Sequence, residues 1–216
     1  MYKAIIEGKK TQTRRICPIQ PKNSEDWKIC TLMSSTAKED KKHIYHYCYG
    51  KLIGELDLEK DDRFFYYKYL PNEIIYIKEP YAIEAGFFLD SRMTLAEGAG
   101  NAFVVYKDKE TLKNPYITWK NPLFMPEKYA RLFLRIKKCR IERVQTISNE
   151  DCLAEGIYKT IDINNMCCYT WNENDSYIWL TPQNSYATLF DKINGKGSYE
   201  ANPYVFVYEF EIEERK

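Results

Sequence analysis

The sequence predicts an α+β fold in which a small curled sheet or barrel is flanked by short helices. The 216 residues include 19 tyrosines and 15% aromatic residues, and these residue types, like the β-branched ones, favour strands over helices. The segments follow the order helix, basic turn, polar insertion, strands, short helix, longer helix and final strand, which indicates a sheet with helices at its periphery. The length fits one domain with insertions.

The first predicted helix covers residues 2 to 7. Tyr2, Ile5 and Ile6 recur on one side at helical spacing, and Gly8 stands where a left-handed helix cap is expected. Pro18 and a polar, tyrosine-rich stretch follow. We expect a single domain over residues 1–216, with an insertion of hairpins around Gly50 and Gly54 at 20–72 and a looped insertion at 85–118.

Four later segments have the composition of strands. They are residues 73–81, which Pro80 should end because proline cannot donate to a ladder, residues 102–106, 131–144 and 204–212. In the third of these segments Leu132, Leu134 and Ile136 alternate onto one face. The last strand alternates aromatic residues with valines, which predicts at least one fully packed face.

Two helices are predicted from their ends. Ser148 is an expected N-cap with Asp151 three residues later and Gly156 as the stop, which places Glu155 in the last turn. A second helix has Pro182 in its first turn, Gly195 at its end and an apolar face at i, i+3, i+4 and i+7 made of Tyr186, Leu189, Phe190 and Ile193.

Composition excludes several classes of function. The 32 basic and 31 acidic residues give a net charge of +1, so no global field draws the protein to nucleic acid or to an anionic membrane. No apolar run approaches the roughly 18 residues that a membrane span needs. We therefore expect a cytoplasmic protein without a membrane partner, whose attraction for any ligand is local. The sequence does not indicate protein partners.

The cysteines and histidines do not form a familiar site. Seven cysteines, two of them adjacent at Cys167 and Cys168, indicate reduced thiols rather than a disulfide scaffold. His43, His46 and Cys48, with Cys30 upstream, are types that bind metals, but their spacing matches no zinc pattern. No metal and no cofactor are expected. Aromatic residues next to cations, at 45–51 and 63–69, are candidates for stacking bases or for covering the edge of a core.

The stretch from Lys9 to Arg15 is either part of a site or a charged turn without a function, and its conformation decides which side chains can meet. If it is a tight turn after Gly8, Lys10 and Thr13 can meet, and a lysine next to a threonine hydroxyl is a possible base and nucleophile pair. If it is a strand, side chains alternate and the two separate. The alternative to a site is a charged turn whose threonines satisfy local backbone groups. Lys9 and Arg14 are expected to be solvated or to face phosphates.

Four motifs in order resemble ASCH domains, and the phage-borne members in particular. "EGKKTQTRR" resembles the signature G-(R/K)-K-T-x-T-x-R, and "NEIIYIKEPYA" is similar to the family's "GDxLYVRETWA" strand. Residues 125–157 resemble the block "MPxxxSRxxLxVxxVRVERLQDISxxDAxxEGI", with Ala130 in place of serine, and "NPYVFVYEFE" is similar to the closing strand "NPWVWVxEFE". The resemblance covers 4–16, 73–82, 119–157 and 186–211, about half of the chain.

The resemblance implies a PUA-like β-barrel that is associated with RNA. Some small members remove the acetyl group of N4-acetylcytidine with a lysine, a threonine and a glutamate, which fall on Lys10, Thr13 and Glu155. Lys10 in its neutral form would take the proton of Thr13, whose oxygen attacks the acetyl carbonyl, while Glu155 orients the lysine or holds the cytosine amine. The remaining residues of the implied cleft, as ligand contacts, are Thr11, Arg15, Glu79 and Arg131.

The favoured function is therefore binding of RNA or of a modified nucleoside or nucleotide next to the GKKTQTRR motif. An amidohydrolase of N4-acetylcytidine-like nucleosides, using Lys10, Thr13 and Glu155, is the alternative, and a ribonuclease is the third. The near-zero net charge favours a nucleoside or a short single strand over a long tract, since affinity for long tracts depends on many phosphate contacts.

Overall fold

The computed structural model describes residues 2–18, 20, 28–33, 45–50, 64–85, 94–95, 102–107, 117–161, 165–171 and 179–214. Helices and antiparallel strands are both present, so the fold belongs to the α+β class, and the described strands form open sheets rather than a closed barrel. The chain divides into two compact units. The first contains Lys3–Glu73 and Arg135–Glu211, and the second contains Tyr2, Ile74–Leu134 and the residues from Ile212.

The helices and strands of the described residues have the following bounds. The α-helices are α1 (Tyr2–Ile6), α2 (Asn149–Ala154) and α3 (Pro182–Asn194). The 3-10 helices are Pro122–Phe124, Glu127–Tyr129 and Val144–Thr146. The strands are β1 (Gln12–Ile16), β2 (Lys28–Met33), β3 (Tyr45–Gly50), β4 (Phe64–Tyr66), β5 (Ile74–Tyr76), β6 (Tyr81–Ala85), β7 (Thr94–Leu95), β8 (Ala102–Tyr106), β9 (Phe133–Arg143), β10 (Tyr158–Ile161), β11 (Cys167–Thr170) and β12 (Tyr204–Glu213).

In the first unit, β12 lies between β1 and β9. It pairs antiparallel with β1, so that Thr13 is opposite Tyr208. Both faces of β12 are buried: Val205 and Val207 on one face, Phe206 and Tyr208 on the other. A strand packed on both faces has no room for polar side chains in its centre, which explains its run of valine and aromatic residues.

Two helices cover one face of this sheet. Cys152 of α2 packs in one core cluster with Tyr186 and Phe190 of α3 and with Val205 and Val207 of β12. The helix ends are as predicted. Ser148 caps α2 by accepting from the backbone N–H of Asp151 at 3.1 Å, and Gly195 ends α3 with φ of 105°. The apolar face of α3 is shorter than predicted, because Ile193 is 62% exposed.

The predicted insertion contains hairpins. Strands β2, β3 and β4 form an antiparallel sheet in the first unit, with Cys30 opposite Cys48 in its register. Gly50 is the last residue of β3, whereas Gly54 lies outside the described residues. Tyr67, which follows β4, is buried and packs its ring against Phe206 at a centroid distance of 5.1 Å. Tyr67 is therefore a core residue rather than a surface for stacking bases.

The second unit contains the antiparallel sheet β6-β8-β7. The single strand predicted over residues 73–81 is wrong, because the chain forms β5 and then β6, with Pro80 directly before β6. Proline lacks a backbone N–H, so it separates the two strands instead of ending one long strand. The core of this unit is made of Tyr81, Val104, Tyr106, Met125 and Tyr129.

Five cysteines of the described residues are free thiols: Cys17, Cys139, Cys152, Cys167 and Cys168. Burial raises the pKa of Cys17, Cys139 and Cys152 to about 12, so these thiols are poor nucleophiles at neutral pH. No helix of the described residues has the length and apolar character needed to cross a membrane.

Candidate functional site

The backbone brings the basic stretch to the end of α2. Gly8 has a positive φ of 68° and its N–H bonds to the carbonyl of Ile5 at 2.9 Å, which ends α1. Lys10 then forms an isolated antiparallel bridge with Glu155. The N–H of Thr11 donates to the carbonyl of Ala154 at 2.9 Å. Two segments about 145 residues apart in sequence are thus joined at the backbone before any side chain is considered.

The side chains of Lys10 and Glu155 also pair. The ammonium of Lys10 donates to Oε2 of Glu155 at 2.7 Å and to the carbonyl oxygen of Glu155 at 2.6 Å. The Lys10 side chain is 12% exposed and that of Glu155 is 5% exposed. The stem of Lys10 passes over Gly156, where an added Cβ would lie 3.5 Å from Cβ of Lys10. Gly156 also has a φ of 99°, so its lack of a side chain serves the turn that ends α2.

Arg14 lies beneath this pair, and the prediction that it is solvated or faces phosphates is wrong. Its side chain is completely buried. Its Nη2 donates to Glu142 at 2.6 Å and to Asp151 at 2.7 Å, and its Nη1 donates to Oε1 of Glu155 at 3.3 Å. Burial opposes the charge of Arg14, but the carboxylates of Glu155 and Glu142 outweigh burial and raise its pKa. A buried guanidinium needs such partners because an unpaired buried charge is very costly.

A second arginine supports the outer side of the same carboxylates. Arg140 of β9 donates to Glu142 at 3.0 Å and to Asp151 at 2.7 Å, and it also pairs with Glu209. Burial opposes ionisation of Asp151, but Arg14 and Arg140 outweigh burial and lower the pKa of its carboxyl. The two arginines and their carboxylates, together with Lys10, form one connected group, which we term the Arg14 network: Lys10, Arg14, Arg140, Glu142, Asp151, Glu155 and Glu209.

The remaining predicted residues of the stretch lie elsewhere. Thr13 is half-buried and stands between Gln12 and Arg14 in β1, so it points to the opposite face of the strand from Arg14. Lys10 and Arg14 both reach Glu155. The described residues show no Lys10–Thr13 hydrogen bond, and the pairing of these two as base and nucleophile stays a prediction. Thr11 and Arg15 are exposed.

Glu79 and Arg131, predicted as ligand contacts, pair with each other in the second unit. Nε and Nη2 of Arg131 donate to the two carboxylate oxygens of Glu79 at 2.9 and 3.0 Å. The guanidinium also lies between two aromatic rings, 4.0 Å from the centroid of Tyr2 and 4.2 Å from that of Tyr106. Such a fork with two stacked rings holds the arginine in one orientation.

The histidines and cysteines considered as metal ligands have side chains outside the described part of the structure. His43 lies outside the described residues, and for His46, Cys48 and Cys30 only the backbone of β2 and β3 is described. In the part of the chain that the structure describes, no group of three histidine, cysteine or acidic side chains is placed to hold a metal ion.

Sequence reasoning missed Arg14, Arg140, Glu142 and Asp151 as parts of the site. One signal was present: on a strand, Arg14 alternates onto the face opposite to Thr13, and that face meets α2.

Comparisons of the chain with models of protein families, with curated proteins and with solved structures found no match. The fold and the site together define an α+β protein in which a lysine–glutamate pair is supported by a buried arginine.

Proposed function

We propose that the chain binds RNA or a modified nucleoside or nucleotide at the Lys10–Glu155 pair, next to the GKKTQTRR motif. We also propose that the fold is a PUA-like barrel of the ASCH type. The observation that carries it is the contact of Lys10 with Glu155, which places a hydrogen-bond donor beside an acceptor. A nucleobase edge offers the complementary combination, an acceptor next to a donor.

The charges of the stretch favour a ligand with few phosphates. Lys9 pairs with Glu7 at 2.7 Å, Lys10 with Glu155, and Arg14 with three carboxylates. Among the cations of this stretch, Arg15 is the one that makes no ion pair with the described residues. Affinity for long nucleic acid requires many unneutralised cations facing phosphates. A nucleoside, a mononucleotide or a short single strand is the ligand that this arrangement favours.

The test is calorimetric titration with cytidine, N4-acetylcytidine and a short single-stranded RNA, each at low and at high salt. We expect binding of a nucleoside with an affinity that changes little with salt. Lys10→Ala and Glu155→Gln should each weaken it by about tenfold or more, which is the loss of a charge-assisted hydrogen bond. Lys137→Ala is the matched control, because that lysine belongs to an exposed pair with Glu211.

Two outcomes would overturn the proposal: no binding of any of the three ligands, or equal binding by wild type and Lys10→Ala. A steep loss of affinity with salt would show instead that phosphates provide the binding energy.

Hydrolysis of the acetyl amide is the second candidate: the contact with Glu155 orients the Lys10 side chain, and the reaction requires Lys10 as the neutral amine to accept the proton of Thr13. In the same experiment it would release cytidine from N4-acetylcytidine. Turnover that survives both Lys10→Ala and Thr13→Ala would exclude the mechanism with these two residues. The third candidate, a ribonuclease, would cleave the RNA strand, which electrophoresis of the titrated sample would reveal.

A further inference from the structure

The two carboxylate oxygens of Glu155 are held by different donors. Oε2 accepts from the ammonium of Lys10 at 2.7 Å, and Oε1 accepts from Nη1 of Arg14 at 3.3 Å. Glu155 is 5% exposed, so water contributes little to its orientation. The plane of this carboxylate is therefore set by a largely buried lysine on one side and by a fully buried arginine on the other.

Arg14 is itself held more firmly than it holds Glu155. Its Nη2 makes two short bonds, 2.6 Å to Glu142 and 2.7 Å to Asp151, and its Nε makes a third, 3.1 Å to Glu142. The ring of Tyr186 lies 5.9 Å from the guanidinium carbon. Because a guanidinium is planar, these contacts fix the direction of the remaining Nη1 N–H groups. Arg14 thus presents Nη1 to Glu155 from a fixed support.

We propose that Arg14 is a positioning residue for the ligand site: it fixes the carboxylate of Glu155 and, through it, the direction of the Lys10 ammonium. An ammonium has three N–H donors. Two of them go to Glu155, and the described residues supply no acceptor for the third. That donor is the one left for a ligand, so its direction matters for recognition. This inference rests on the proposed function, in which Lys10 contacts the ligand.

The chain offers a matched control in Arg140. It is bonded to Glu142 and Asp151 as Arg14 is, but it makes no contact with Glu155. Arg140→Gln therefore disturbs the carboxylates of the outer side and leaves the Arg14–Glu155 bond in place. Arg14→Lys keeps a positive charge and loses the planar fork. If Arg14 acts only on the general stability of the network, the two variants should affect Lys10 alike.

The first measurement needs no ligand. Hydrogen exchange of the Lys10 ammonium is followed by ¹⁵N–¹H correlation of lysine side chains, with the signal assigned through Lys10→Arg. We expect exchange in Arg14→Lys to be about tenfold faster than in wild type, the effect of freeing one charge-assisted hydrogen bond. In Arg140→Gln it should change less than about twofold. Equal exchange in wild type and Arg14→Lys, or equal acceleration in both variants, would overturn the inference.

A further variant covers the case in which Arg14→Lys does not fold. Glu142→Gln retains Arg14 but weakens the bonds that fix its Nε and Nη2, so Lys10 exchange should rise in the same direction by a smaller factor. No rise in this variant would count against positioning.

The second measurement is the affinity for N4-acetylcytidine, which should fall in Arg14→Lys, fall much less in Arg140→Gln and stay unchanged in Lys137→Ala, whose exposed pair with Glu211 lies outside the Arg14 network. If wild type binds no nucleoside, the proposed function fails while the exchange measurement still decides the role of Arg14. If wild type binds and Arg14→Lys binds equally well, the positioning role fails and the binding site remains.

Discussion

Two ion-pair groups of the described residues, one around Arg14 and one around Arg131, are built from the same residue types but differ in burial. In the first unit, the side chain of Arg14 is fully buried and pairs with three carboxylates. They belong to Glu142 of β9, Asp151 of α2 and Glu155, the C-cap of α2. In the second unit, the side chain of Arg131 is 35% exposed and has one carboxylate, Glu79, and two tyrosine rings. Arg14 is thus held in a buried position by several carboxylates, whereas Arg131 is held at a partly exposed position by one carboxylate and two aromatic rings.

This difference has an energetic consequence. Removing Arg14 leaves Glu155, which is 5% exposed, with Lys10 as its remaining cation, and leaves Glu142 and Asp151 with Arg140. The loss of one partner from a buried ionic group is strongly destabilising. Removing Arg131 should cost less, because its side chain is 35% exposed and only one carboxylate, that of Glu79 at 10% exposed, loses this partner. The four predictions below use this contrast.

The largest effect is expected for Arg14→Met. The substitution leaves Glu142, Asp151 and Glu155 without their buried cation, and we expect it to lower the free energy of unfolding by about 3–5 kcal/mol. Urea denaturation followed by circular dichroism measures this. A loss below about 1 kcal/mol would mean that the carboxylates reach water or protonate without difficulty.

A smaller effect is expected for Arg131→Met in the second unit. The ion pair with Glu79 and the contacts with Tyr2 and Tyr106 should together contribute about 1–2 kcal/mol, and methionine keeps part of the packing between the rings. The same denaturation experiment applies. A loss as large as that of Arg14→Met would remove the contrast between the two groups.

The acid sensitivity of the fold should depend on Asp151. Its folded-state pKa is lowered by the two arginines, so its ionised form stabilises the fold above the unfolded value of about 3.9, and this stabilisation is lost as the pH falls through the folded value. We expect unfolding measured from about pH 5 downwards, through the unfolded value, to show a shallower loss of stability for Asp151→Asn than for wild type. Parallel curves would show that other carboxyls carry the acid response.

The smallest effect is expected for Lys137→Ala. Its pair with Glu211 is about half exposed on both sides, at 56% and 49%, and such pairs contribute about 0.5 kcal/mol or less. Moderate salt should abolish even this difference. A loss above about 1 kcal/mol would indicate that Lys137 has a role that its exposure does not suggest.

Sequence patterns predicted local structure where the side chain acts on its own backbone. Ser148 and Gly156 mark the ends of α2, and Pro182 and Gly195 mark those of α3, because capping and positive φ are properties of single residues. The alternation of Leu132, Leu134 and Ile136 predicted one buried face, and the structure buries all three, with Leu134 and Ile136 in β9 and Leu132 just before it. The prediction for residues 73–81 was wrong because composition does not say whether a proline ends one strand or separates two.

The sequence by itself determined that residues 9–15 carry two lysines, two threonines and two arginines, and that Glu155 stands at the end of a capped helix. Resemblance, rather than spacing, linked Lys10 to Glu155 in advance. Only the tertiary structure decided that Arg14 is buried. Alternation tells which side chains share a face, but whether that face meets solvent or the carboxylates of α2 and β9 depends on packing between distant segments.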